Sequence, residues 1–299
     1  MAYIEKQRHG KQDYHYLVKS VRTAAGKVTK VRIFLGRSVP PHDKLQAYFA
    51  ALDRKTPRPY KAKWLSAEAA ERLEDLRSAT ERFFELPEGE QGDFLVRFTY
   101  HTNAIEGNPL TLRQTALILQ DGIAPQGSRA QDVVEVYNGK DAWLHAKGYR
   151  GALSAAFIRR LQYEITKNTD CRIKGAYRDS EVRISGSHWM PPAASGVPGL
   201  VDAMLSECRA KKRKTHPIEL ACFLHNRVAQ IHPFTDGNGR TARLLMNFVL
   251  MKSRFPPVVI DVRNKEEYYG MIEKADRGDQ KPFAEFLAKQ LLAQYTKRK

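Results

Sequence analysis

A mainly α-helical fold is predicted, preceded by a small, basic α+β extension. Three observations lead to it. From residue 66 almost to the end, apolar residues recur at helical spacing. The breaks between these stretches carry helix caps, glycines and prolines in the expected places. The first 63 residues instead alternate like strands and hold most of the excess positive charge.

In chain order, 14–37 reads as a β-hairpin. His15–Arg22 and Val28–Leu35 are rich in β-branched and aromatic residues, and the intervening stretch holds Gly26. A helix is predicted over 42–53. Two prolines in Lys55–Lys63 discourage helix, so a boundary is placed there, dividing an extension at 1–63 from a helical domain at 64–299. Ser66 can cap a helix running to about Glu85, with Pro87 and Gly92 interrupting. A second helix, about 93–107, stops at Gly107-Asn108-Pro109, and Thr111-Leu-Arg-Gln114 is a capping box for the next. Further helices are predicted at 129–147, 154–166, 198–210, 217–231, 239–252, 264–277 and 281–295. Between them, Tyr177–Pro192, with Gly186 and Pro191-Pro192, reads as a short hairpin.

Composition narrows the function classes. No apolar run approaches the ~20 residues of a membrane helix, and the N-terminus lacks the apolar segment of a secretory leader. Three cysteines without metal-ligand spacing suit a reducing cytoplasm. The net charge is +17, and residues 1–63, with fifteen Lys/Arg against four acids, hold +11 of it. Such a segment implies an anionic partner, nucleic acid among them, or a solvated surface. The sequence shows no recognition helix and no aromatic-interleaved groove.

The chemistry concentrates in Ile231-His-Pro-Phe-Thr-Asp-Gly-Asn-Gly-Arg-Thr-Ala-Arg243, which joins two apolar helices. Gly237 and Gly239 allow φ > 0 and close approach of a ligand. Successive N–H groups at the helix start can form an anion nest. Asp236 is a hard oxygen ligand suited to Mg²⁺. Arg240 and Arg243, three apart, share a helix face and offer planar forks to phosphate. His232 can accept a proton near neutral pH. Together these suit phosphoryl-type transfer, and the loop lacks the Gly-Lys-Ser/Thr of a Walker A sequence.

At every fixed position this segment resembles the Fic motif, His-Pro-Phe-x-Asp/Glu-Gly-Asn-Gly-Arg-x-x-Arg. The resemblance covers roughly 95–295, with a flap at 174–192. It implies a Fic-type helical domain with a short β-hairpin flap. It also implies transfer of AMP from Mg·ATP to a Ser, Thr or Tyr hydroxyl of an as yet unidentified protein. Carried over, His232 is the general base and Asp236 the Mg²⁺ ligand. Gly237, Asn238, Gly239 and Arg240 bind the α- and β-phosphates, and Arg243 orients the γ-phosphate. Val182, Arg183 and Ile184 of the flap would dock the target by strand addition. Relatives of the Doc type that phosphorylate have lysine at the second glycine of the motif, which here is Gly239.

Thr102-Asn-Ala-Ile-Glu106-Gly107 resembles the family's inhibitory motif, on a helix preceding the core. Glu106 would pair with Arg243 and withdraw it from the γ-phosphate, and breaking a buried pair from one side costs ~3–5 kcal/mol. Tyr268 and Tyr269 match a stretch that in the family lies near the adenine, although neighbouring residues of one helix cannot both face inward. His225, on an apolar helix face, reads as structural. Two alternatives stand beside AMP transfer. One is removal of AMP at the same site, with Glu106 positioning water. The other is a nucleic-acid-binding regulator acting through 1–63. Self-modification and a homodimer are compatible with the sequence, and a membrane partner is not expected.

Overall fold

The computed structural model describes residues 2–10, 12–22, 28–55, 62–76, 88–212 and 214–296. Three strands open the chain: β1 (Ala2–His9), β2 (Gln12–Arg22) and β3 (Val28–Gly36), antiparallel in the order β1-β2-β3. The predicted hairpin is β2–β3. Strand β1 was missed, because its polar Glu-Lys-Gln-Arg run hides the alternation that pairing with β2 reveals. Helix α1 (His42–Lys55) covers one face of the sheet, with Leu45, Tyr48 and Leu52 packed on Leu17 and Leu35. The Gly26 loop, most of the Pro/Lys-rich linker, and the second half of the helix predicted to reach Glu85 lie outside the described residues.

The remaining helices are α2 (Ala67–Asp75), α3 (Glu88–Ile105), α4 (Leu112–Ala116), α5 (Ala130–Gly148), α6 (Ala155–Thr166), α7 (Val197–Lys211), α8 (Pro217–Ile231), α9 (Asn238–Lys252), α10 (Lys265–Asp276) and α11 (Lys281–Tyr295). Local chemistry sets their ends. Ser66, Thr111 and Ser154 each accept a backbone N–H two or three residues into the first turn, and the Thr111/Gln114 capping box is complete. α4 widens into a π-turn at 117–121, which Gly122 closes at φ 70°.

Helices α8 and α9 form the centre. Residues of both are buried on nearly every face, and α5, α6, α7 and α11 pack around them in one apolar core. The buried carboxylate of Glu219 on α8 accepts the backbone N–H groups of Lys63, Trp64 and Leu65 at 2.8, 2.5 and 2.9 Å, tying the start of this body to its central helix. Among the described residues no helix is long and apolar enough to cross a membrane.

The flap differs from expectation. Among the described residues, 177–192 contains no strand, only irregular chain with bends at 179–180 and a turn at Gly186, where the Ser187 N–H donates to the Ile184 carbonyl at 3.2 Å. A hairpin needs an opposing ladder, and no second strand lies beside Val182–Ile184.

Candidate active site

α8 ends at His232, in the left-handed region at φ 48°, and Pro233 cannot continue the helix. The His232 N–H still donates to the Val228 carbonyl at 2.9 Å. Its Nδ1 lies 3.4 Å from the Ala229 carbonyl, which places the proton there and the lone pair on Nε2. Burial pushes the imidazole below its ordinary pKa, and the Arg178 guanidinium adds to this. The Ala229 carbonyl, Glu106 and Asp236 act the other way. His232 is therefore held in the neutral form that a base requires.

The loop that follows is held in shape by its own side chains. Asn238 closes it from inside: Oδ1 accepts the Phe234 N–H at 2.9 Å, and Nδ2 donates to the Phe234 carbonyl at 2.8 Å. The Asn238 side chain thus shapes the loop and leaves only backbone to offer a phosphate. Gly237 has φ 77°, as the motif suggested. Gly239 does not take a positive φ, which corrects that expectation. A Cβ there would instead collide with Glu106 Oε1, so the glycine admits a carboxylate against the first turn of α9. Asp236 Oδ1 accepts the Gly237 N–H at 2.6 Å, and Oδ2 pairs with Arg240 at 3.0 Å on a half-exposed side chain.

Both arginines are buried, and each has its own partners. Arg240 bridges Asp236 and Glu135, the latter at 3.3 Å, and Glu135 Oε2 also accepts from Asn108 Nδ2 at 2.9 Å. Arg243, 2% exposed, is gripped by α3. Its Nε donates to Thr102 Oγ1 at 2.9 Å, and Nη2 donates to the Thr102 carbonyl at 2.8 Å and to Glu106 Oε1 at 2.7 Å. Gly107, at φ 97°, ends α3 directly after this glutamate. Burial opposes the Arg243 charge, but Tyr268 and Glu106 outweigh it and raise the pKa.

The two tyrosines separate as neighbours on a helix must. Tyr268 is buried. Its hydroxyl lies 2.7 Å from His225 Nε2 and 3.4 Å from Arg243 Nη1. It therefore supports Arg243 from the core and cannot receive an adenine, which corrects the expectation for this residue. Burial holds its partner His225 neutral, with a pKa down at about 3, as a structural histidine. Tyr269 keeps an open face. Its hydroxyl donates to the Ile105 carbonyl at 3.3 Å, and burial pushes its pKa up to about 12.

The flap is fastened at its ends. The Arg178 N–H donates to the Pro233 carbonyl at 2.9 Å, its Nε donates to the His232 carbonyl at 2.9 Å, and its other nitrogens reach the Ser180 and Pro192 carbonyls. Trp189 Nε1 donates to the Gln230 carbonyl at 2.9 Å. Between these anchors Val182 and Ile184 are half-buried, and Arg183 is exposed.

A family profile described as Fic/DOC family matches residues 152–250. A Fic protein adenylyltransferase of Nematostella vectensis is 32% identical over 240 residues, covering 77% of this chain. The chain belongs to the Fic/DOC family. A second relative, the fic-1 protein adenylyltransferase of Caenorhabditis elegans, is 35% identical over 200 residues and 64% of the chain. The chain spans 55% and 39% of the lengths of these two relatives. Among solved structures, a Fic domain containing signaling protein from Bacteroides thetaiotaomicron superposes with TM-score 0.68 at 27% identity, covering 75% of this chain and 95% of the other. A Fic-1 structure from C. elegans gives 0.61 at 28%, covering 84% and 73%.

In this Fic chain, three side chains that shape the site were not foreseen. Arg178 joins the flap to the loop. Glu135 couples Arg240 to Asn108. Gln162, fully buried, accepts the Gly175 N–H at 2.5 Å and donates to the Asp236 carbonyl at 3.1 Å. Arg178 lies in the flap pattern Gly175-Ala-Tyr-Arg178, but its contact with His232, like those of Glu135 and Gln162, spans a long sequence separation. His101, to which the sequence assigned nothing, accepts the Val262 N–H at 3.1 Å and ties α3 to the 262–264 turn.

Proposed function

We propose that this chain transfers AMP from Mg·ATP to a protein hydroxyl, and that Glu106 holds the site off at rest. The observation carrying this reading is the double engagement of the motif. His232 presents a free Nε2 beside the flap, while Glu106 lies against Gly239 and Arg243, at the anion end of α9. The relatives named protein adenylyltransferases support the activity.

In the reaction the target hydroxyl oxygen attacks the α-phosphorus, its proton passes to His232 Nε2, and the bond to the β-phosphate oxygen breaks with release of pyrophosphate. Backbone N–H groups of Asn238 and Gly239, with Arg240, hold the α- and β-phosphates, and the Gly237 N–H joins them once it leaves Asp236 Oδ1. Arg243 orients the γ-phosphate once Glu106 has left it. Among the described residues no cluster of three His, Cys, Asp or Glu could hold a metal. Asp236 alone, half-exposed at the loop, fits Mg²⁺, which takes most of its ligands from phosphate and water. When bound, the ion offsets phosphate charge.

The unpaired backbone of Val182–Ile184 takes up the target segment by strand addition, and the chain's own hydroxyls are candidate targets. Residues 1–63 form an extension separate from the Fic body at 64–299. Three free, buried cysteines suit the reducing cytoplasm. A second reading, removal of AMP, rests on the Glu106 side chain being 33% exposed, open enough to position a water. Labelled ATP and a Glu106→Gly variant test the first reading: self-labelling no higher than wild type would count against the inhibition. Release of AMP from a labelled target by wild type, lost in Glu106→Gly, would support the second.

A further inference from the structure

The N-terminal sheet has one face that AMP transfer does not use. Register decides which residues share it. Tyr3, Val18 and Arg32 lie abreast, as do Glu5, Tyr16 and Phe34, with Tyr14 opposite Gln7. Leu17, Ile33 and Leu35 belong to the opposite face, packed on α1, so alternation turns the first set away from that helix. Phe34 is 52% exposed and Tyr3 42%. The rings adjoin one another: Tyr14 and Phe34 have centroids 6.0 Å apart, Tyr16 and Phe34 5.4 Å, and His9 and Tyr14 5.8 Å.

Two cations stand beside this ladder. Lys30 lies 5.8 Å from the Tyr3 ring centroid, and Lys30 and Arg32 both reach Glu5, at 3.4 and 3.2 Å. Glu5 is the carboxylate of this face, set within a segment of fifteen Lys/Arg and four acids.

Phe34 and Tyr3 are exposed, Tyr14 and Tyr16 half-buried, and Val18 between them buried, and a surface cluster of rings of this kind marks a binding site. An apolar partner would not call for +11 of charge, and an acidic protein would not call for open ring faces. A duplex keeps its base faces stacked inside, out of reach of a flat sheet. A single strand uses both features, with bases on the rings and phosphates on the cations.

We propose that the outer face of the β1–β2–β3 sheet binds single-stranded nucleic acid. Bases stack on Phe34, Tyr14, Tyr16 and Tyr3, and phosphates pair with Lys30 and Arg32 in place of Glu5. Stacking and phosphate contacts do not read the 2′-hydroxyl, so DNA and RNA strands bind alike. This site is independent of the transfer reaction.

The test is fluorescence anisotropy of the full chain with labelled oligothymidylate and oligouridylate, over a salt series, with a duplex and polyglutamate as competitors. Phe34→Ala should weaken binding about 5- to 100-fold, whereas Phe34→Tyr should retain it. Lys30→Ala with Arg32→Ala should lower the slope of log K against log salt by about 1.4. Glu5→Gln should tighten binding, and His232→Ala should leave it unchanged. The proposal is overturned by absence of binding, by equal binding of Phe34→Ala and wild type, by a tenfold preference for one sugar, or by equal competition from duplex or polyglutamate. Unchanged circular dichroism of each variant separates a lost contact from a lost fold.

Discussion

The two sides of the active-site loop are built in opposite ways. On the α3 side, Thr102 and Glu106 reach Arg243 through three hydrogen bonds of 2.7–2.9 Å, and the arginine is buried. On the flap side, Arg178 and Trp189 fasten the ends, and 181–184 has no regular secondary structure and no ladder. The first side is closed by the chain's own groups, and the second has backbone outside any strand ladder. Under the proposed mechanism the nucleotide half limits such a site, since Glu106 would have to leave before Arg243 could serve a phosphate.

The largest expected effect removes the base common to both halves. In a Glu106→Gly background, His232→Ala should lower self-labelling by about 10²–10⁴-fold, typical of a lost general base. Labelling that persists in the double variant would refute this mechanism. Next comes the inhibitory side alone. Glu106→Gly should raise labelling about tenfold or more, less than a fully buried pair would imply, because Glu106 is one-third exposed. Thr102→Ala should raise it less, since Glu106 keeps its own bond to Arg243, and quantified intact-mass spectra rank the two.

On the flap side, Trp189→Phe removes one hydrogen bond to Gln230. It should raise KM for a protein target a few-fold, with ATP binding by calorimetry unchanged. An equal loss of ATP affinity would show that the two sides are coupled. The smallest effect is in pH. His232 must be neutral to accept a proton, and its pKa lies below the ordinary ~6.5. Activity should therefore stay level down through that value and fall only at lower pH. A rate already halved above pH ~6.5 would contradict the lowered pKa.

Much of this was legible before folding. Helix limits were readable where Ser66, Thr111 and Gly107 act within a few residues of themselves. The motif from His232 to Arg243 was readable for the same reason: its loop is closed locally, by Asn238 on Phe234 and Asp236 on Gly237. The misreadings share the opposite cause. Strand β1 exists through pairing with β2. Tyr268 is assigned to the core by His225, 43 residues earlier. Gly239 is explained by Glu106, which arrives from another helix.

The sequence by itself determined a helical chain with a basic, strand-bearing start, and it supplied the candidate proton acceptor, the candidate anion-binding loop and the glutamate proposed to oppose it. Those properties reside in side-chain chemistry and in periodicities of a few residues. Only the tertiary structure decided that Glu106 does meet Arg243, that Tyr268 stands behind that arginine, that the flap carries no strand pairing, and that four rings of the N-terminal sheet share the face turned away from α1. Each of these depends on which distant segments burial brings together, and burial is a property of the whole fold.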